Sequence, residues 1–548
     1  MKPSFAFAER VLFFVLLALQ LVPLWSVHYF LTGDGPCHLY NAKVLLDFFQ
    51  GGEAKSFFSS WMFVNTALEP NWFSHATMSL LMGLGTPPFL AEKLLQTFYV
   101  LAFGLGLRFM IRQLNPNALF LSTFGLLLTY HHVFQMGFYN YSCSLAIMFW
   151  TTGYWLKHRQ DWNAGRMLGL GLGFVLLYFC HPIGLLLSFL MIGSVFLAEL
   201  SNQVFRKKPV MNTAQTWRYF GKNVLSLLIS ALPALLLFAE YIARKGLNAS
   251  PRSESNRRIW VDFRELSALS IISRTERFWA IGIAILFLLM AIWGIRFKIK
   301  TRSWYFKDVF LAVFGITLLI YFFQPGGIAG AGVLAIRLQL LPYLMLLFWL
   351  ATLDFPKRVQ SAVLLLSSFI FLAFMCIRIP NHLKASDAAE EYSSAVSVIP
   401  DGVSVLPLSF DHNGRTPDGK QVSDRIWLFM HAGDYIGTQR QVVMLGNYEA
   451  ATHNFPLIWR PERNPFERLG MDGAYLESQP PIANLLEYPQ KSENATIDFV
   501  VTWCMDGNPY GNHPNVQKMQ QQLEIGYDLV FTSKNGLAKV FRLKGLLR

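Results

Sequence analysis

"VLFFVLLALQLVPLWSVHYFLTGDGPCHLYNAKVLLDFF", residues 11–49, decides what kind of molecule this is. The run from 11 to 31 carries no charge, and at 1.5 Å per residue it is long enough to cross a hydrocarbon layer of about 30 Å. It lacks a small-residue cleavage site, so it reads as a helix that stays in place rather than a removed leader. Directly behind it come Asp34, a Gly-Pro turn and His38. An Asp before Gly-Pro is a natural helix N-cap, with Pro36 in the first turn and the following residues forming an amphipathic helix along the membrane interface. A carboxylate at such a helix mouth can also take a proton from an acceptor hydroxyl or amine, and the two roles are compatible. Helical spacing places Asp34, His38 and Asn41 on one face.

The rest of the chain extends this reading. Of 548 residues, 53% are hydrophobic and only 15% charged, against about 25% charged in soluble domains, so the expected class is a polytopic α-helical membrane protein. Further apolar runs fall near 88–111, 117–131, 136–156, 165–180, 183–200, 223–243, 278–295, 308–323, 332–353 and 360–378. A shorter run, 72–86, contains His75 and is left open between an oblique crossing and the interface, giving about 11–13 helices in all. The net charge of +13 is not a nucleic-acid signature. From residue 379 on, Lys and Arg number 15 against 19 acids, so the basic excess of 32 against 15 belongs to the membrane part. Basic clusters at Lys157/Arg159/Arg166, Arg206/Lys207/Lys208, Arg296/Lys298/Lys300/Arg302 and Lys357/Arg358 mark alternate loops as cytoplasmic. The N-terminus then faces the cytoplasm, and loops 31–70 and 244–277 and the tail face outward. Two domains follow: a membrane helical domain, 1–380, and a soluble α/β domain, 381–548. In the tail, VSVLPLSF, QVVMLGN, TIDFVVTW, YDLVFTS and LAKVFRL read as strands and SDRIWLFMHAGDYI as a helix.

Several polar residues stand out against this background. Arg337 lies inside an apolar helix, where a cation costs at least about 2.5 to 3.5 kcal/mol and usually faces a partner or cavity. The outer loop 244–277 carries eight basic residues against four acids, which suits contact with anionic headgroups or, through Arg257 and Arg258, a bound phosphate. His131, His132, Asn140 and His181 cluster at the outer helix ends and offer neutral groups for sugar hydroxyls. No histidine or cysteine pair shows metal-ligand spacing, and the five cysteines are scattered, so no metal or cofactor is predicted and dependence on a divalent metal is left open. The tail segments HAGDY, NYEAATHNFPLIWRP and NPYGNHP read as turns or as sugar-stacking surfaces.

A membrane helix, an outer loop opening on an acid, many crossings and an outer α/β tail resemble the GT-C glycosyltransferases, with "GDGPCHLYNA" similar to their first-loop acidic motif. These include protein O-mannosyltransferases, lipid A aminoarabinose transferases and oligosaccharyltransferases. The resemblance implies inverting transfer of a sugar from a polyprenyl-phosphate carrier to a glycan, lipid or protein acceptor in the periplasm. It makes Asp34 the general base with His38 beside it, Arg337 and Arg257 or Arg258 the phosphate ligands, and the bacterial inner membrane the location. Many relatives place a second acid beside the first, whereas here Gly35 follows Asp34. Two readings stand beside this one: a transporter or flippase for a lipid-linked glycan, and a membrane O-acyltransferase built on a histidine.

Overall fold

The computed structural model describes residues 5–205, 212–470 and 477–546; the basic cluster at 206–208 lies outside the described residues. Seven described helices are long and apolar enough to cross a membrane: Phe5–Trp25, Pro88–Leu114, Pro182–Val204, Thr213–Lys245, Glu276–Thr301, Phe306–Phe323 and Lys357–Val398. Ala164–Cys180 and Leu334–Leu350 are shorter apolar helices. Their lipid-facing character is visible on Thr213–Lys245, where Leu225, Leu228, Leu232 and Leu236 recur at helical spacing and are all more than half exposed. That helix begins at a capping box, with Asn212 accepting from Gln215 N–H and the Gln215 side chain accepting from Asn212 N–H.

Three apolar runs differ from the simple spans that hydropathy suggests. The run 72–86 becomes an 11-residue helix, Phe73–Gly83, too short for the bilayer. The run 117–131 is broken into Pro116–Ala118, Phe120–Gly125 and Leu126–Leu128. Its freed carbonyls find side-chain donors: Gln20 Nε2 bonds Leu126 C=O at 2.7 Å and Tyr99 hydroxyl bonds Thr129 C=O at 2.6 Å. An apolar medium tolerates broken helices only when such donors are present. The run 332–353 is interrupted around Gln339, whose Nε2 bonds the Asp262 carbonyl at 2.6 Å.

The chain divides into two compact units. The first, Met1–Val22, Thr97–Val133 and Asn140–Ile377, is helical, and buried charges in it are paired: Arg108 forks onto Glu9 at 2.7 and 2.9 Å, and Lys298 meets Asp308 at 2.8 Å. The second, Pro23–Gln96, Phe134–Tyr139 and Arg378–Arg548, holds a five-stranded sheet. Its order is Val443–Met444, Ser404–Ser409, Phe499–Trp503, Ala538–Leu543, Tyr527–Thr532; the first three strands are parallel and the last two antiparallel. Phe499–Trp503 is central and buried at every position, whereas the edge strand Tyr527–Thr532 is largely exposed, which explains the continuous apolar run in one and the mixed pattern in the other.

All five expected strands are present, but SDRIWLFMHAGDYI is not one helix. Only Ala432–Asp434 and Tyr435–Gln439 wind, because Ser423 Oγ accepts from the Arg425 and Ile426 N–H groups and Phe429 leaves the helical face to stack on Trp503 at 4.9 Å. Within this unit the first-loop helix Gly35–Gln50 is tied to the sheet edge. The Tyr40 hydroxyl donates to Val442 C=O and accepts from Met444 N–H, both at 3.1 Å. Met62–Val64 adds an antiparallel pairing with Leu457–Trp459.

Candidate functional site

Asp34 occupies the N-cap position of Gly35–Gln50, yet its side chain makes no capping hydrogen bond. The backbone is held instead: Asp34 N–H donates to Met136 C=O at 2.8 Å, Gly33 N–H to Gln135 C=O at 3.1 Å, and Asp34 C=O accepts from His38 N–H at 3.0 Å. Gly137 makes this close approach feasible. It sits at φ +90°, and a β-carbon there would lie 2.6 Å from Asp34 N. The Asp34 backbone is thus fixed, and its side chain is 17% exposed.

The tail residues gather around that side chain. His431 Nε2 lies 3.9 Å from Asp34 Oδ1, and the Tyr448 hydroxyl bonds the Asp34 carboxylate. Burial pushes His431 down to about 3, so it stays neutral and offers no counter-charge near pH 7. Burial, and then the charge of Asp34, push Glu477 up to about 7. Asp34 therefore faces a half-titrated acid and a neutral imidazole.

The missing second acid also has a structural reason. A β-carbon on Gly35 would run into Thr32 Oγ1, the Tyr139 hydroxyl and Glu92 Oε1, the last at 2.5 Å. A carboxylate already fills that space, delivered by Glu92, whose oxygens accept from Tyr139 at 2.6 Å and Tyr435 at 3.0 Å.

One turn beyond Asp34, His38 and Asn41 share a face, as their spacing requires, and both meet Glu449. His38 Nδ1 pairs with Glu449 Oε1; Asn41 Nδ2 donates to Oε2 at 2.7 Å, and His75 Nε2 lies 2.8 Å from the same oxygen. His38, His75 and Glu449 are 3%, 0% and 0% exposed. Burial alone would raise the Glu449 carboxyl, but His38 and His75 overcome it and hold Glu449 well below the usual range. Burial lowers His38, and Glu449 more than reverses this.

The remaining sequence-selected residues lie in the helical unit. Arg337 Nη1 is 3.2 Å from His181 Nε2, and the Tyr141 hydroxyl donates to the Arg337 carbonyl. His181 is the break between Ala164–Cys180 and Pro182–Val204, where its Nδ1 caps the second helix by accepting from Ile183 N–H at 3.2 Å. His131 is buried against Tyr99, and Asn140 is buried; His132 begins the short helix His132–Gln135. Arg257 and Arg258 are exposed on Asn256–Arg264, with Arg258 paired to Asp262 one turn on at 2.7 Å. His75, His431, Tyr448, Glu449 and Glu477 were not legible as site residues. HAGDY and NYEAATHNF did carry a signal, a dense set of acids, rings and amides in a soluble tail.

Neither a protein-family model nor a curated protein matches the chain. Among solved structures, the crystal structure of ArnT from Cupriavidus metallidurans in the apo state is similar over 96% of this chain and 97% of that chain, with a TM-score of 0.50 and 10% identity. The chain thus has an ArnT-like fold, mostly helical with a small C-terminal sheet domain.

Proposed function

We propose that the protein is a membrane glycosyltransferase of the GT-C type that moves a sugar from a polyprenyl-phosphate carrier to a glycan, lipid or protein acceptor on the periplasmic side of a bacterial inner membrane. The observation that carries the reading is the placement of Asp34: a partly exposed carboxylate at the mouth of the helix Gly35–Gln50, with the neutral His431 3.9 Å away and the Tyr448 hydroxyl bonded to it. Asp34 takes the proton of the acceptor hydroxyl as that oxygen attacks the anomeric carbon; the bond from that carbon to the carrier phosphate breaks, and the phosphate leaves with the electron pair. Attack from the face opposite the leaving group inverts the centre. His38 acts in this scheme as a positioning residue, holding the first helical turn that carries Asp34.

His181 and Arg337 support the phosphate assignment. Because His181 Nδ1 accepts from Ile183 N–H, a neutral ring carries its proton on Nε2, which then faces an Arg337 N–H. Two neighbouring donors in an apolar segment suit an anionic oxygen placed beside both of them. The exposed Arg257 and Arg258 are assigned the headgroup contact, and His131, His132 and Asn140 the sugar hydroxyls.

The test is transfer of labelled sugar from its polyprenyl-phosphate carrier by the detergent-solubilised chain. Asp34→Asn should lower transfer by about 10²- to 10⁴-fold while leaving the protein folded; full retained transfer would remove Asp34 as base. Loss of activity in His132→Ala alone would favour acyl transfer instead.

A further inference from the structure

We propose that Trp427, His412, Gln479 and Tyr510 form a subsite for a sugar ring of the acceptor, so that the acceptor is an oligosaccharide. The inference rests on the glycosyltransferase reading and narrows its acceptor class. All four residues belong to the unit that contains the sheet. Trp427 is 54% exposed, although its neighbours Ile426, Leu428 and Phe429 are buried. A single exposed apolar side chain is ordinary on a protein surface. This one stands beside a polar array whose orientation is fixed. His412 is buried, with its ring centroid 5.8 Å from that of Trp427. Gln479 Nε2 lies 2.7 Å from His412 Nδ1, and an amide nitrogen can only donate, so Nδ1 accepts. On the other side, the Tyr510 hydroxyl donates to Gln479 Oε1 at 2.7 Å. Tyr510 is set in turn by Asn508, whose Oδ1 accepts from Tyr510 N–H at 2.9 Å while its Nδ2 donates to the Met505 carbonyl at 2.8 Å.

The Gln479 amide is therefore held at both ends, yet the residue is exposed. Its second N–H and the second lone pair on Oε1 have no protein partner among the described residues and are open to a ligand. An aromatic face packs on the C–H face of a sugar ring, and an amide that offers N–H and C=O side by side matches two adjacent hydroxyls. None of the four side chains carries a charge near pH 7, since burial pushes His412 down to about 4, and this suits a neutral polyol better than a phosphate. A peptide bound as an added strand would need an open sheet edge, whereas these four residues lie outside the strands of the sheet. Two of the segments lead to Asp34. Trp427 is four residues from His431, whose Nε2 is 3.9 Å from Asp34 Oδ1, and Gln479 is two residues from Glu477, which feels the Asp34 charge. Four residues span at most about 14 Å, so the ring on Trp427 belongs to the acceptor a few sugar units from the hydroxyl that reacts.

The test uses the full chain in lipid nanodiscs and, as probe, the water-soluble oligosaccharides released by mild acid from the envelope of the source cells, with no donor present. Hydroxyl-radical footprinting should find Trp427 oxidised without the sugars and protected with them. Saturation-transfer NMR should show sugar-ring protons saturated by the parent. Trp427→Ala should weaken binding about tenfold and Gln479→Ala about fivefold. Leu529→Ala, on the exposed edge strand, should bind as the parent does. With the same oligosaccharides as acceptor in a transfer assay, Trp427→Ala should raise KM by a similar factor and leave kcat unchanged, because the ring is remote from the reacting atoms. No protection and no saturation in the parent, or binding unchanged in both variants, overturns the subsite. Protection of Trp427 by lipid alone makes it an interfacial anchor and overturns it too. Binding is read without donor, so a chain that binds the sugars and transfers nothing keeps the sugar site and loses the transferase reading. A chain that transfers sugar and shows none of these effects loses the subsite alone.

Discussion

The two units differ in the polar groups they hold. Around Asp34, the unit containing the sheet collects acceptors and acids: Asp34 itself, Glu477, Glu449 and the neutral His431. The helical unit presents donors at Arg337 and, through its Nδ1 contact, at His181. Proton abstraction needs a carboxylate with no cation holding its charge, and departure of a phosphate needs hydrogen-bond donors prepared in advance. In the unit containing the sheet, His38 and His75 are both engaged by Glu449, one turn from Asp34.

Asp34→Asn breaks this comparison most sharply. The substitution keeps shape and removes basicity, so transfer should fall by about 10²- to 10⁴-fold. The thermal midpoint should hardly move, because the amide oxygen of Asn can still accept from the Tyr448 hydroxyl and no side-chain cap is lost. A variant that loses stability and keeps its rate per folded molecule would return Asp34 to a structural role.

Arg337→Gln tests the donor side. Removing the guanidinium should lower transfer by about 10²-fold, the usual cost of one donor on developing negative charge. Arg337→Lys should recover part of the loss, since it restores charge without the fork. Equal rates for Gln and Lys would mean that charge at this position is irrelevant to the leaving group.

Gly137→Ala acts through geometry alone. Its β-carbon has 2.6 Å to Asp34 N and its φ is +90°, so the Asp34 backbone must move. Destabilisation of about 1 to 3 kcal/mol is expected, measured as a lower denaturation midpoint, with a smaller loss of transfer than in Asp34→Asn.

How far the sequence reached can be judged on these same residues. Hydropathy found the long helices, and period-2 patterning with turn residues found all five sheet strands. It did not find the breaks in 117–131 and 332–353, because a helix interrupted by side-chain donors such as Gln20 and Tyr99 has the same composition as a continuous one. Asp34 was visible from its Gly-Pro context and His38 from helical spacing, whereas no spacing rule connects residues 38, 75 and 449. The acid that Gly35 fails to supply was equally hidden. Only the fold shows Glu92 filling that space.

The smallest expected effect lies deeper in the acidic region. Asp434 is fully buried, and burial is the main cause that raises its carboxyl from 3.8 to about 8, opposed by the Cys37 thiol and assisted by Glu449 and Glu477. The folded protein therefore keeps a proton that the unfolded chain releases near pH 4. Stability from this group is complete below about pH 4 and declines as pH rises toward 8, because across that window the unfolded state binds fewer protons. Asp434→Asn removes the titration, so the thermal midpoint should fall less between pH 5 and 8, and the gain over the parent should be greatest at pH 8. Glu477, raised to about 7, leaves a residual slope that ends near pH 7. A variant whose midpoint declines as steeply as the parent's up to pH 8 would show that Asp434 is ionised in the folded protein, and that the acids around Asp34 are better solvated than their burial implies.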